Sequence, residues 1–163
     1  PLLNLQGEVV GLVADVIGGP AGIGGIGVAV PGDLVAQSIA DLERFGVPQR
    51  GWLGASLISL DELPPVLLRA VGLTSTQGAM VDRVEPGSPA ARAGLKGAQR
   101  DTQGRLLALG DVILAVDGVA VKDKADVVRL VAQRRPGDRV RLTLWRDRRR
   151  LEVTVVLMAR PRE

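Results

Sequence analysis

The chain has 163 residues, 46% apolar and 24% charged, with a formal net charge of +3 and neither His nor Cys. That balance describes a folded polypeptide of one domain, or one domain plus a fragment, and excludes global disorder, which needs low hydrophobicity with high net charge. The missing residue types remove imidazole bases, thiol nucleophiles, disulfides and the common zinc ligand sets, and three aromatic residues (Phe45, Trp52 and Trp145) leave almost no platform for stacking single-stranded bases.

Taken in order, Leu2 to Val16 reads as two β segments joined at Asn4-Leu5-Gln6-Gly7, the second rich in Val and bounded by Gly18-Gly19-Pro20. Val28 to Val30 is a short strand stopped by Pro31-Gly32. Asp33 is placed to cap a helix whose apolar positions Leu34, Val35, Ile39 and Leu42 recur at helical spacing, and Gly46 and Pro48 end it. Residues 47–50 are the expected linker between a first segment, 1–46, and a domain over 51–163. In that domain Trp52 to Ser59 is a strand, and Leu63 to Val71 a short helix with Pro64-Pro65 in its first turn. Gly78 to Val84 is a strand ending at Pro86-Gly87. Ser88 caps a helix opened by Pro89 and running to Gly94, and Gln99 to Gly104 is a polar, inserted loop. Asp111 to Val116 enters an Asp117-Gly118 hairpin turn, Asp123 to Arg134 is a helix with Val127, Leu130 and Val131 on one stripe, and Arg139 to Trp145 and Leu151 to Leu157 form a second hairpin.

Charge and membrane signals carry little function. Residues 1–46 hold five acids against Arg44, whereas 134–163 hold ten Arg against four acids, but those Arg alternate with Val140, Leu142 and Leu144 or cluster in a turn. Solvated strand faces account for them better than nucleic acid does, so no nucleic-acid partner is expected. The longest uncharged stretch, Val16 to Gly32, has 17 residues broken by seven Gly and two Pro, too short for a spanning helix; no membrane insertion is expected. The chain begins without Met or an n-region, like an excised piece.

Gly22-Ile23-Gly24-Gly25-Ile26-Gly27 spells the dinucleotide fingerprint, yet Gly27 runs into a strand, whereas the motif works by opening a helix at the pyrophosphate. A Gly-rich loop entering a strand is the better reading. Without His there is no Ser-His-Asp triad, no Ser stands in an SxxK context, and Asp101, Asp111 and Asp117 lack calcium-loop spacing. No catalytic residue, metal or cofactor is expected. The informative constellation is Arg50-Gly51-Trp52-Leu53-Gly54-Ala55 at the mouth of a strand: such a turn can aim successive N–H groups at one carboxylate, while an edge strand beside an apolar helix stripe makes a groove for an extended peptide. Gly in a bulge at an ordinary strand start explains the six residues equally well.

With Gly87-Ser88-Pro89-Ala90-Ala91-Arg92-Ala93-Gly94-Leu95, Gly110 to Gly118 and Pro136-Gly137-Asp138, the run Trp52-Leu53-Gly54-Ala55 resembles the PDZ domain of HtrA/Deg-type serine proteases. Pro1 to Gly11 and Gly27 to Pro31 resemble segments that follow the catalytic Ser in the trypsin-like domain of that family. The resemblance covers almost the whole chain. It implies a β-rich α+β fold, a PDZ-like partly open barrel or sandwich capped by two helices, preceded by a fragment of a trypsin-like β-barrel. It implies a module that captures C-terminal or extended peptide segments of unfolded or regulatory proteins, with Arg50, Trp52, Leu53, Gly54 and Ala55 at the carboxylate and Leu57, Val127, Leu130 and Val131 in the side-chain pocket. It implies that Ile26, Gly27 and Val28 are a remnant of the protease specificity pocket, with the catalytic Ser just upstream of Pro1. The parent would be a homo-oligomeric serine endopeptidase of the cell envelope, its PDZ domain tethering substrates or assembling and gating the protease. The Gln99 to Gly104 insertion, longer than usual, and Asp123 near the start of the groove helix depart from the family and bear on ligand preference.

Overall fold

A computed structural model describes residues 1–17 and 26–161, without the side chains of residues 16 and 17. Gly22 to Gly25, most of the fingerprint look-alike, therefore lie outside the described residues. The chain divides into two compact units, Pro1–Gln49 and Arg50–Glu163.

In the first unit, β1 (Leu2–Leu3), β2 (Val9–Ile17) and β3 (Ile26–Pro31) form an antiparallel sheet in chain order, and α1 (Gly32–Phe45) packs on β2 and β3. The side chain of Asn4 organises the β1–β2 turn by accepting from the N–H groups of Gln6 and Glu8. The expected capping role of Asp33 is corrected: the N-cap of α1 is Pro31, two residues earlier, and the Asp33 carboxylate accepts from the adjacent Leu34 N–H. Pro31 fixes its own φ at −55° and has no N–H to satisfy, so the helix starts from a prearranged residue instead of a side-chain cap. Gly46, at φ 71°, ends it.

The second unit contains β4 (Gly51–Trp52), β5 (Ala55–Ser59), α2 (Pro65–Ala70), β6 (Ala79–Val84), α3 (Pro89–Arg92), β7 (Gln99–Arg100), β8 (Leu106–Ala108), β9 (Val112–Val116), β10 (Val119–Ala120), α4 (Lys124–Ala132), β11 (Arg139–Arg146), β12 (Arg149–Val156) and β13 (Met158–Ala159). The main antiparallel sheet runs β12-β11-β9-β6-β5 with β10 on β9, so β5 ends it; β13 pairs with β4 and β7 with β8. The sheets are open, and no strand pairing closes the main one into a barrel among the described residues.

Three expectations change. The strand predicted over Trp52 to Ser59 is broken at Leu53-Gly54, where Gly54 takes φ 75° and the chain leaves one sheet for another. The Gln99 to Gly104 loop is the first strand and tip of the β7–β8 hairpin, tied by Asp101, whose carboxylate accepts from Gln103 and Arg105 N–H and pairs with the Arg105 guanidinium. Polarity hid a strand that does not bury its side chains. The helix after Ser88 is a single turn: Ser88 Oγ accepts from Ala91 N–H at 3.2 Å, and Gly94 ends it at positive φ.

The core lies between the main sheet and α3 and α4. Val81, Ile113, Val116, Val127, Val140, Leu142, Leu144, Val155 and Leu157 are essentially inaccessible, and a satellite cluster of Leu60, Leu68, Leu73, Met80 and Val112 lies against Trp145. Asp111, 1% exposed, is the charged group of this interior. Its carboxylate accepts from Lys96 N–H at 2.7 Å and from Nε and Nη2 of Arg146 at 2.6 Å each, so the buried charge is both paired and hydrogen-bonded. Asp111 in turn holds the Arg146 pKa above its ordinary value.

Candidate functional site

The break between β4 and β5 builds the site. The Leu53 carbonyl accepts from Ala90 N–H and the Gly54 carbonyl from Glu85 N–H, both at 2.9 Å. A trans peptide unit sets its N–H opposite its carbonyl. With both carbonyls held against the body of the domain, the N–H groups of Gly54 and Ala55 point the other way. The capped helical turn that follows Ser88 thus helps orient the loop by presenting the Ala90 N–H to the Leu53 carbonyl.

Gly54 is required twice over. At φ 75° an L side chain is strained, and a Cβ there would overlap Ser88 Cβ and stand 2.8 Å from Ser88 Oγ and 2.9 Å from Trp52 Cη2. Gly51 serves a second close approach: its N–H donates to Arg134 O at 2.7 Å just past α4, and a Cβ would lie 2.6 Å from both Val131 O and Leu157 Cδ1.

Beside the loop is a cavity of about 220 Å³ whose lining includes Gly51 to Ala55, Leu57, Val127, Val131, Ala132 and Arg160. Its walls are β5, the end of the main sheet, and α4, which packs on β4 and β5. Asp123 caps α4 by accepting from Asp126 N–H at 2.9 Å. Ser59, at the far end of β5, is buried and its Oγ accepts from Lys124 N–H at 3.1 Å, while Lys124 Nζ reaches Glu62 at 2.7 Å. Both ends of α4 are therefore hydrogen-bonded to the segment that carries β5, which sets the separation of the two walls. Glu62, bonded to Lys124 and Ser59, titrates below the ordinary carboxylate range.

Of the residues singled out from sequence, Arg50, Trp52, Leu53, Gly54, Ala55, Leu57, Val127 and Val131 line this cavity. Leu130 does not; it is half-buried against the core. At 100° per residue it sits on the other flank of Val127 from Val128, Val131 and Ala132, so the stripe of α4 that faces the cavity is rotated from the one read as 127-130-131. Periodicity puts Val128 and Ala132 on the opposite flank of Val127 from Leu130 without saying which flank faces the cavity. Arg160 carries no signal in the sequence, because it arrives through the pairing of β13 with β4. Ile26, Gly27 and Val28 lie on β3 of the first unit, with Ile26 and Val28 exposed. Among the described residues the lining holds two cations, Arg50 and Arg160, and no acid. No group of potential metal ligands occurs among the described residues. The site therefore presents an anion with two outward N–H groups beside the Arg160 cation, and an extended chain with the edge of β5, unpaired among the described residues, beside apolar side chains.

A PDZ domain model matches residues 51–157. The chain is 32% identical over all 163 residues to a protein named probable periplasmic serine endoprotease DegP-like from Brucella suis, covering 29% of that protein, and 34% identical over 147 residues to a protein of the same name from Rhizobium meliloti, covering 90% of this chain and 26% of that one. It thus spans under a third of the length of these relatives. Among solved structures, the HtrA-type protease AlgW with tripeptide superposes with a TM-score of 0.71 at 28% identity over 99% of this chain and 48% of that one. The same protease with decapeptide gives 0.68 at 30% identity over 97% and 44%. The chain belongs to the PDZ family, in the form carried by HtrA/DegP-type serine proteases.

Proposed function

We propose that residues 51–163 bind the C-terminal end of an extended peptide, which adds to β5 as a further strand while its carboxylate rests on the N–H groups of Gly54 and Ala55 beside Arg50. The observation that carries this reading is the anchoring of the Leu53 and Gly54 carbonyls, which turns the next two N–H groups toward the cavity. Backbone pairing supplies affinity independent of sequence, and the pocket of Ala55, Leu57, Val127 and Val131 selects an apolar last side chain. Solved structures of the related AlgW protease contain tripeptide and decapeptide, a size that suits one short strand and one pocket. The expected affinity is micromolar, about −8 kcal/mol at 1 μM. Titration with a peptide ending in Val, as the free acid and as the amide, tests the reading: the acid should bind more tightly because the amide forfeits the charge-assisted bonds. Equal affinities refute the carboxylate site.

The chain has no His, and so no Ser-His-Asp machinery of its own. In the parent protein the module serves a periplasmic serine endopeptidase, in keeping with the names of its relatives, and brings unfolded or regulatory segments to it. Residues 1–46 are the last strands and closing helix of that protease domain, with Ile26, Gly27 and Val28 beside its specificity pocket, and the parent is a homo-oligomer. A protease assay on the parent, with and without an activating peptide, separates gating from tethering: gating raises turnover of a small chromogenic substrate, whereas tethering leaves it unchanged.

A further inference from the structure

We propose that the inserted β7–β8 hairpin builds a second binding site, separate from the α4 groove, for an acidic peptide segment that carries apolar side chains. Successive side chains of a strand take opposite faces of a sheet, and β6 sends Ala79 and Val81 into the core with α3 and α4 but Met80 into the satellite cluster. Val71, Leu109, Val112 and Trp145 belong to that second side. All four line a cavity of about 550 Å³ whose remaining walls include Gln99, Leu107 and Ala108 of the hairpin and the turn Arg146 to Arg148. It shares no lining residue with the groove cavity. Trp145 also lines a neighbouring cavity of about 320 Å³, together with Arg150.

The walls are held in place before any ligand arrives. A Cβ on Gly110 would overlap Val81 O and stand 2.7 Å from Ala98 N, so only glycine lets the base of the hairpin lie this close to β6. Ala98 N–H donates to Val81 O and Asp82 O, both at 3.0 Å, and Arg100 pairs with Asp82. Opposite the hairpin's contribution, Trp145 Nε1 donates to Val71 O at 3.0 Å and Arg148 Nη2 to Ala70 O at 2.9 Å. The charges of the lining are unbalanced. Asp111 is engaged by Arg146, Arg148 bonds only a carbonyl, and the side chains of Lys96 and Arg150 make no hydrogen bond or ion pair with a described residue. Lys96, Arg148 and Arg150 thus stand against the single exposed carboxylate of Asp147. Among them Leu107 is 66% exposed, beside a Trp and Arg residues of the kind that anchor interfaces. Carboxylates answer the cations, and an apolar side chain seated on Leu107 and Trp145 removes apolar surface from water. A membrane fits less well, because the surface is concave and the indole is half-buried with its N–H bonded, so it cannot enter a bilayer.

The test uses the full chain and a fluorescein-labelled heptapeptide, Glu-Leu-Glu-Leu-Glu-Leu-Glu, amidated so that it offers no α-carboxylate, with Kd from anisotropy at about 0.05 M and 1 M NaCl. The wild type should bind it with a Kd of about 10–100 μM at low salt. Lys96→Gln and Arg148→Gln should each weaken binding about two- to five-fold, the range of an exposed ion pair, and should match the wild type at 1 M, where the Debye length is about 3 Å. Leu107→Ala should weaken it about five- to ten-fold at either salt. Lys96 and Leu107 are exposed, so these two variants keep the fold even if Arg148→Gln, which loses the bond to Ala70, does not. The proposal is overturned if the wild type shows no binding at about 1 mM peptide, or if either Lys96→Gln or Leu107→Ala keeps the wild-type affinity at low salt. A Lys-Leu heptapeptide that binds equally well also overturns it. So does displacement by an excess of a decapeptide ending in Val, which would place the heptapeptide in the α4 groove. Phosphatidylglycerol vesicles that bind more tightly than the peptide and respond to the same variants would assign the surface to a membrane instead. Gly54→Ala, which damages the groove, should leave heptapeptide binding unchanged, so failure of the groove reading and failure of this site are told apart.

Discussion

Gly54→Ala probes the binding loop where its geometry is most constrained. An alanine held at φ 75° costs about 1–2 kcal/mol relative to glycine. Its Cβ would overlap Ser88 Cβ, which sits on the backbone of a capped helical turn and cannot swing aside as the end of a flexible chain would. Relief comes by displacing Ser88 and losing its bond to Ala91 N–H, worth about 1 kcal/mol, or by moving the loop. The sum, about 2–3 kcal/mol, is less than the stability of an ordinary domain, about 5–15 kcal/mol, so the protein should still fold. If the whole cost falls on the loop, peptide affinity drops by about 30- to 150-fold, at tenfold per 1.4 kcal/mol. Gly104→Ala is the matched control: φ is 78°, nothing lies within 4 Å of the added Cβ, and the residue sits at the tip of the β7–β8 hairpin outside the cavity. Thermal melts and peptide titrations on both variants separate the contributions. Gly104→Ala should lose about 1–2 kcal/mol of stability, the cost of its φ alone, and no affinity, and Gly54→Ala should lose both. A Gly54→Ala protein that binds within two-fold of wild type would refute the derivation of the loop from its two anchored carbonyls.

Asp111→Ala leaves the Arg146 guanidinium, only 21% exposed, without its carboxylate; denaturant unfolding should show a loss of about 3 kcal/mol, and a loss below 1 kcal/mol would mean that water replaces the partner. Ser59→Ala removes the acceptor for Lys124 N–H at the start of α4, so peptide affinity should fall and Ser59→Thr should restore it; unchanged affinity would show that apolar packing alone sets the groove. Glu62, Asp101 and Asp126 titrate below the ordinary carboxylate range because Lys124, Arg105 and Arg129 bond to them, so their stabilisation is present above the unfolded-state pKa and is lost as pH falls through the lowered folded values. Melting temperature should accordingly decline on acidification below about pH 4, less steeply in Glu62→Gln. In residues 1–49 no described apolar side chain is buried, and Leu3, Val9, Ile26 and Ile39 are more than half exposed. The full chain should therefore self-associate or exchange rapidly at Val9 to Ala14, while a chain beginning at Arg50 stays monomeric and keeps its peptide affinity; light scattering and hydrogen exchange decide, and strong protection at Val9 to Ala14 in a monomer would refute this.

The elements most readable from sequence are those fixed within a few residues. Asp117-Gly118 turns β9 into β10 with both residues at positive φ, Ser88 and Asp123 cap the helices they precede, and Gly46 ends α1, because each depends on a local backbone preference and one short side chain. The Asp147-Arg148 turn is less transparent: two non-glycine residues adopt positive φ, with Arg148 Nη2 held by Ala70 O, a contact 78 residues away in sequence. Local propensity also misplaced the start of α1, where Asp33 looked like a cap beside a proline that needed none, and it missed β7, whose exposed polar residues carry no alternation to read. The binding loop was visible as a motif, but the direction of its N–H groups depends on the Leu53 and Gly54 carbonyls accepting from the N–H groups of Ala90 and Glu85, over thirty residues away. Only the tertiary structure rotates α4 so that Val128 and Ala132 replace Leu130 at the cavity, buries Asp111 against Arg146, and returns Arg160 to the loop through β13. Backbone conformation is governed by neighbours in sequence, whereas the facing side of a helix, the partner of a buried charge and the register of a distant strand are settled by what packs together, and periodicity in one segment does not encode it.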